Sequence, residues 1–477
     1  TRTIAGIPEK ESAGFGLMVF ALYFFLCSWN AKSIRNAIIL AVVAGASTGA
    51  MGLVWGGVTF VYASMVIAGL VAFIFEKVGI KELSSYGIWI FSSMIFWIPF
   101  TERVSMGDFL TSATTGGTII VFFFMLTYYL ISETRLKNIS ILNNEKIRRL
   151  PKTLTAIAIS AAALVILASI FLGPRVIPRM AESVVEDLLR PYEDRLAFTV
   201  AENKQPFFTD WKESMGPVFK SIPLLFWLFF AGSILLLYEL VKSLEKKETI
   251  LIMVAYMYFL IALIFSRSSP SGIFNGENNI SLLFYISGYA VLALAFGYLF
   301  YKRHKNNNFE VFRSFNFNYI LVFGLAFIGI IAGRSAIRLV MILTAVATIA
   351  VAYLAVESIR KARNTKEDTA KVFAIVVAAI VVISTIYTFY VYYEVSKASA
   401  GAYIPSAYTW QWQNAMQWVR NSTPENAIFT HWWDYGYWIQ SMGERATVLD
   451  GGNAISYWNH LMGRHVLTGT EENKALE

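Results

Sequence analysis

Apolar runs recur along this chain at 12–29, 36–55, 57–75, 86–100, 116–132, 153–173, 223–241, 250–266, 281–301, 317–333, 337–357 and 371–393. A helix crossing a bilayer needs about 20 mostly apolar residues. Within hydrocarbon, every backbone N–H and C=O must be satisfied inside the protein, which leaves helices and closed barrels as the spanning elements. Runs of this length predict a polytopic α-helical membrane protein with about 12 spans. Only 15% of the residues are charged, against about a quarter in soluble domains. The run at 86–100 is the shortest, and Trp55-Gly56-Gly57 divides one long apolar stretch into two by supplying a turn.

Basic residues orient the spans. Alternate loops carry Lys32 and Arg35, Lys77 and Lys81, the cluster from Arg135 to Lys152, Lys242 to Lys247, Lys302 to Lys305, and Arg360 to Arg363. Positive residues collect on the cytoplasmic side. The net charge of +8 therefore follows from topology and does not imply a nucleic-acid partner. With this parity, residues 1–11, the loop 174–222 and everything after about 394 lie outside. The expected division is a membrane domain over 1–393, with the large external loop 174–222, and an extracytoplasmic domain begun by 394–477.

The single cysteine, Cys27, excludes an intrachain disulfide. The chain opens at Thr1 on a polar segment, with no initiating Met or signal peptide, and closes at Glu477 in what reads as mid-helix. It reads as a fragment. After the last span, Trp410 to Arg420 predicts an amphipathic helix stopped before Pro424. Ala427 to Thr430 and Ala446 to Leu449 are short strand candidates, and a turn comes next at Asp450-Gly451-Gly452-Asn453. This is the start of a mixed α/β domain.

Between those strand candidates stands Trp432-Trp433-Asp434-Tyr435-Gly436-Tyr437-Trp438. Indole faces are stiff and apolar, and an indole nitrogen only donates a hydrogen bond, while an ionised carboxylate only accepts. Gly436 lets the backbone turn or come close to another segment. The combination suits a small aromatic-walled recess for a hydroxyl-bearing group. An interfacial aromatic belt is the blander alternative, weakened by the forty residues that separate this stretch from the last span.

Three acids draw attention. Glu9 and Glu11 stand at the mouth of the first span, where acids also serve ordinary helix-start chemistry after Pro8. Carboxylate oxygens there also suit a hard divalent cation. Glu202 ends an otherwise amphipathic part of the external loop, where a solvated acid is the bland reading; Glu186, in the predicted helix Met180 to Leu189, is its near-duplicate. Arginines on the external side break the positive-inside rule. Arg334 and Arg338 flank one external turn and Arg267 lies in another, as interfacial anchors or as partners of a phosphate. The four histidines show no zinc spacing, and no phosphate-binding glycine loop or Ser-His-Asp signature is present.

In their order along the chain, these pieces resemble the catalytic subunit of oligosaccharyltransferase, the membrane enzyme of protein N-glycosylation. Trp432-Trp433-Asp434-Tyr435-Gly436 matches that family's WWDYG signature. Arg2 with Glu9-Lys10-Glu11 resembles its second acidic motif, although the family usually places an aspartate first. Trp55-Gly56-Gly57 is similar to its tight external turn, Thr199-Val200-Ala201-Glu202 to its TIXE motif, and Arg338-Leu339 to its arginine motif. Asp450-Gly451-Gly452-Asn453 resembles the family's segment downstream of WWDYG. The motifs run from residue 2 to about 453, and the archaeal single-subunit enzyme is the nearest likeness.

The resemblance implies a metal-dependent GT-C type glycosyltransferase. It would move a glycan from dolichol phosphate or diphosphate to the asparagine of Asn-X-Ser/Thr in an acceptor polypeptide. Glu9, Glu11 and Glu202 would hold Mn²⁺ or Mg²⁺ and serve catalysis, with Arg2 behind the acids. Trp432, Trp433, Asp434, Tyr435 and Gly436 would bind the acceptor sequon, and Arg338 the lipid-linked phosphate. The enzyme would sit among the lipids of the cell membrane with its site facing outward. The family's first acidic motif would precede residue 1. A protein O-mannosyltransferase would explain the external acids but not WWDYG; a transporter or flippase would need interrupted spans in repeated halves.

Overall fold

The computed structural model describes residues 9–134, 150–171, 173–175, 178, 182, 203–306, 308–402, 408–452 and 456–476. The chain divides into two compact units. Among the described residues, one comprises those from 9 to 182 and from 205 to 392, the other 203–204 and those from 393 to 476.

Helices dominate. Among the described residues, eleven are long and apolar enough to cross a membrane: α1 (Lys10–Trp29), α2 (Ile34–Val54), Ile80–Phe100, Thr115–Glu133, Lys152–Ile170, Leu224–Val241, Lys246–Phe265, Asn279–Lys305, Phe317–Ser335, Ile337–Asn364 and Asp368–Gly401. Together with the shorter α3 (Val58–Ile74) they match the apolar runs one for one. The chain is a multi-pass helical membrane protein.

The weakest run in the sequence gains length in the structure. Its helix α4 begins at Ile80, because Glu82 Oε2 accepts a hydrogen bond from the Gly79 N–H at 3.1 Å and caps the start. The helix ends at Ile95, and a tighter turn comes next at Ile98–Phe100 with Pro99 inside it. Counted with that turn the segment covers Ile80–Phe100, and the short element is α3, whose 17 residues reach about 26 Å, against about 30 Å of hydrocarbon. Its neighbours explain the shortfall: α3 packs between Phe317–Ser335 and Thr115–Glu133, and its Tyr62 and Phe73 are fully buried.

Several polar side chains inside the first unit pair with one another, as a water-free setting favours. Trp89 Nε1 donates to Thr48 Oγ1 at 3.0 Å, Tyr62 OH to Ser93 Oγ at 2.8 Å, and Ser28 Oγ to Ser85 Oγ at 2.8 Å. Outward faces such as Leu283, Leu294 and Ile383 are apolar and exposed, which suits contact with lipid.

Loops gather at two ends of this unit, in the alternation that the basic residues predict. At one end Asn30 bonds Asn318 at 2.7 Å, Lys81 bonds the Ala31 carbonyl at 3.1 Å, and Ser314 bonds Ser243 at 3.2 Å. Arg313 pairs there with Glu76, and Lys302 with Glu248 at 2.9 Å. The other end carries the start of α1, the Trp55 turn, residues 205–214, Arg267 and the turn after Ser335.

In the second unit, Trp410–Ser422 forms the expected amphipathic helix. Buried Arg445 closes its C-terminus by donating from Nη2 to the carbonyls of Arg420 and Thr423, both at 2.7 Å. Two short strands, β1 (Ile428–Phe429) and β2 (Ala446–Thr447), pair in parallel with Ile428 opposite Ala446. Between them run a 3₁₀ turn, Trp433–Tyr435, and a helix, Gly436–Ser441. Parallel strands require such a crossover, so this is a compact β-helix-β unit.

Candidate functional site

Glu11 lies in the first turn of α1 and is almost fully buried, at 1% exposure. The partial positive charge of a helix start favours an acid there. Facing it is Arg338, with Nη2 3.8 Å from Glu11 Oε1. That is ion-pair range but beyond a hydrogen bond. Arg338 sits on the 3₁₀ turn Ile337–Leu339 between two spans, held by Ala336 N–H to the Ala332 carbonyl at 3.1 Å and Leu339 N–H to the Ala336 carbonyl at 3.0 Å. The short helix Phe208–Ser214 packs on this turn, its start capped by Asp210, which accepts from the Phe207 N–H at 2.8 Å.

The Trp55 turn braces the same region. Its indole stacks on Phe15 at 5.5 Å, and a Cβ at position 57 would lie 2.4 Å from the indole. Glycine is therefore needed there for close approach; its φ of −62° is ordinary.

Glu9 and Glu11 do not share an environment. Glu9 is the half-buried N-cap of α1, and its carbonyl accepts from the Ser12 N–H at 3.1 Å. Pro8 lies outside the described residues, and the first helical turn starts at Lys10. Arg2, Glu186 and Glu202 lie outside the described residues. Among the described residues, no three His, Cys, Asp or Glu side chains are grouped as a metal site. Glu9 and Glu11 offer oxygen donors of the hard type that Mn²⁺ or Mg²⁺ accepts, and a cation would need at least one further carboxylate.

In the second unit the aromatic signature begins just past the carboxyl end of β1. Trp432 and Trp433 lie 6.3 Å apart at 48°. Asp434 and Tyr435 are exposed. The Trp433 Nε1–H is buried and has no acceptor among the described residues. Gly436 is explained by close approach: a Cβ there would fall 2.3 Å from the Leu449 carbonyl oxygen and 2.5 Å from the Asp450 Cα.

Several supports were not singled out in the sequence. Trp412 stacks on Tyr435 at 4.9 Å and meets Trp438 edge-on at 4.7 Å; the Trp410-Gln411-Trp412 run one helix earlier was the available signal. Gln440 donates to Thr447 Oγ1 at 2.8 Å and to Asp450 Oδ2 at 3.0 Å. Asp450 Oδ1 accepts from the Gly452 N–H at 2.8 Å. These bonds, the Gln440 contact first, hold the Asp450 carboxyl below its usual pKa. His431 Nδ1–H donates to the Trp432 carbonyl at 2.7 Å, and its Nε2 is buried without a partner among the described residues; no signal in the sequence distinguished it from the other histidines.

Fold and site together define a multi-pass membrane protein with a buried acid facing an arginine in one unit and an aromatic cluster on a β-helix-β crossover in the other. Comparison with known proteins bears out the likeness to oligosaccharyltransferase catalytic subunits. A stretch of 45 residues is 51% identical to dolichyl-phosphooligosaccharide-protein glycotransferase 1 of Pyrococcus furiosus, covering 9% of this chain and 5% of that protein. A stretch of 60 residues is 32% identical to the dolichyl-phosphooligosaccharide-protein glycotransferase of Methanocaldococcus jannaschii, covering 13% and 6%. A stretch of 49 residues is 39% identical to the dolichyl-diphosphooligosaccharide–protein glycosyltransferase subunit STT3B of Oryza sativa subsp. japonica, covering 10% and 6%. The matched segments thus span about a twentieth of each relative's length. No protein-family model matches the chain.

Proposed function

We propose that this chain is the membrane part, with the beginning of the extracytoplasmic domain, of an oligosaccharyltransferase. It would transfer a glycan from a dolichol phosphate or diphosphate to the asparagine of an Asn-X-Ser/Thr sequon. Its domains would be 1–393 and 394–477, and its site would face the outside of the cell membrane. The observation that carries this reading is the meeting of Glu11 with Arg338, two motif residues 327 positions apart (338 − 11). The named activity of the three relatives supports it.

An amide nitrogen is a poor nucleophile because its lone pair is delocalised into the carbonyl. Glu202 would accept a hydrogen bond from the acceptor N–H, loosen that conjugation and take up the proton. As the nitrogen–sugar bond forms, the bond from the sugar carbon to the phosphate oxygen breaks, through an oxocarbenium-like state. The leaving phosphate carries the bonding electrons away, and Arg338 would stabilise that growing charge. In this reading Glu11 holds Arg338 at the site until the phosphate arrives. Mn²⁺ or Mg²⁺, held by Glu9, Glu11 and Glu202 with Arg2 behind them, would supply further neutralisation of the phosphate.

Recognition belongs to the other unit. Asp434 would accept from the Ser/Thr hydroxyl, the Trp433 Nε1–H would donate to it, and Trp432 and Tyr435 would wall the recess. The deciding experiment is transfer to a sequon peptide from a dolichol-linked glycan by the full-length protein in membranes, with and without Mn²⁺. Product that depends on Mn²⁺ and on the sequon asparagine is expected. Transfer of mannose to Ser/Thr, or lipid flipping without transfer, would overturn the reading.

A further inference from the structure

Arg267 and Arg334 come from different external turns of the sequence, and one stretch of chain covers both. Arg334, on the last turn of Phe317–Ser335, is 7% exposed. Its Nη1 donates to Gln205 Oε1 at 3.0 Å, and its guanidinium carbon stands 5.4 Å above the Tyr285 ring. Two residues beyond Gln205, the Phe207 ring lies 4.2 Å from the guanidinium carbon of Arg267. Arg267 is fixed by an antiparallel bridge to Asn275 and by Nη1 donating to the Asn275 carbonyl at 3.3 Å.

Both charges lie against the same short stretch, Gln205 for Arg334 and Phe207 for Arg267. The only carboxylate at ion-pair distance from either, among the described residues, is Glu277, 3.5 Å from Arg267 Nη1. Its side chain is 76% exposed, against 12% for Arg267, so most of its charge is spent on water. The charge of Asp210 also reaches Arg267, but one Asp210 oxygen is already engaged as a helix cap. Among the described residues, the two cations thus face little more than one rim anion.

Their donors are also unfilled. The Nε–H of Arg267 and the Nε–H of Arg334 are both buried and have no acceptor among the described residues. A buried charged donor without an acceptor is costly, and guanidinium groups pair well with oxyanions that offer several acceptor oxygens. Aromatic rings under both guanidiniums hold them without consuming a donor.

We propose that Arg267 and Arg334 form a fixed site for a phosphate group, taking one oxygen on each Nε–H. Glu277 at its rim turns to solvent when the anion enters. The same chemistry is presented by a phospholipid headgroup and by a free phosphate or diphosphate. The site does not rest on the glycosyl-transfer reading and stands or falls separately from it.

The test uses the full chain, purified and stripped of lipid. Its thermal unfolding is monitored during titration with inorganic phosphate or pyrophosphate in detergent, and in nanodiscs with phosphatidic acid against phosphatidylcholine alone, with chloride at matched ionic strength as reference. A saturable rise in Tm is expected, since a ligand bound only to the folded state stabilises it. Arg334→Gln and Arg267→Gln should each weaken the apparent affinity by about 10- to 100-fold, while Arg360→Gln, an exposed arginine paired within its own helix, should not. A response to free phosphate assigns a soluble anion; a response only to phosphatidic acid assigns a headgroup. Should Arg334→Gln fail to fold, Arg334→Lys decides, because it keeps the charge and loses the Nε–H. Absence of an anion-specific rise in both formats, or equal affinity in Arg334→Lys and wild type, would overturn the proposal.

Discussion

Arg338 and Glu11 face each other across 3.8 Å, joining the turn between two late spans to the first turn of the first helix. Glu11 is nearly dehydrated and Arg338 is about one-third exposed. The pair is therefore asymmetric: loss of the arginine removes a counter-charge from a buried carboxylate, whereas loss of the carboxylate leaves a cation that can still reach water.

Arg338→Gln should accordingly destabilise the protein more than Glu11→Gln does. A fully buried pair broken from one side costs about 3–5 kcal/mol. The partial exposure of Arg338 reduces the expected loss to roughly 2 kcal/mol. The double variant should recover part of it, as coupled neighbours do. Thermal unfolding of the three purified variants checks this, and strictly additive losses would show that the two groups do not interact.

In activity the order changes. If Arg338 stabilises a leaving phosphate, Arg338→Gln lowers transfer by about 10²–10³ with little effect on sequon-peptide affinity. Glu202→Ala should nearly abolish transfer and also leave peptide binding partly intact. A variant at 202 that retains wild-type turnover would move the role to Glu186.

The aromatic recess makes a binding prediction. Wild type should prefer a sequon peptide with Thr to its Ala analogue, and Asp434→Ala should erase the preference, a change of about 10- to 100-fold in affinity. Fluorescence titration with the two peptides reads it directly. Equal affinity of wild type for both would exclude a hydroxyl-reading role for Asp434.

Gly436→Ala should disturb the second unit. The added methyl meets the Leu449 carbonyl and the Asp450 backbone, which cannot rotate away as a side chain can. Overpacking of this kind costs about 1–3 kcal/mol. Limited proteolysis of the intact chain should show earlier cleavage between 428 and 452, with the first unit unaffected.

Asp450 gives a pH dependence. Its carboxyl titrates below the ordinary value in the folded state, so the unfolded chain binds its proton first as pH falls. The stabilisation is complete above the unfolded value of about 3.9 and is lost as pH drops through the lower folded value. The protection of the Gly452 amide, relative to its intrinsic exchange rate, should therefore fall as pH drops through that lower folded value. Asp450→Asn should weaken protection at neutral pH and flatten the acid dependence.

The spans were legible because hydrocarbon imposes a length and an apolar composition that a one-dimensional pattern records. Their alternation was legible for the same reason, through the basic loops. The exceptions arose where neighbours substituted for length, as at α3, or where a cap extended a helix, as Glu82 does for α4. The individual motif positions were legible as residue types. That Glu9 would be an N-cap and Glu11 a buried side chain was not, because their difference comes from where α1 begins relative to surrounding helices.

The sequence by itself determined that this is a multi-pass helical membrane protein, and placed WWDYG between two strand candidates of a mixed α/β region. Tertiary structure alone decided the partners: Glu11 with Arg338, Trp412 against Tyr435 and Trp438, Gln205 with Arg334 and Phe207 with Arg267. The physical reason is one of range. Burial and helix length depend on local composition, whereas charge pairing, ring stacking and unsatisfied donors depend on which distant segments are packed side by side.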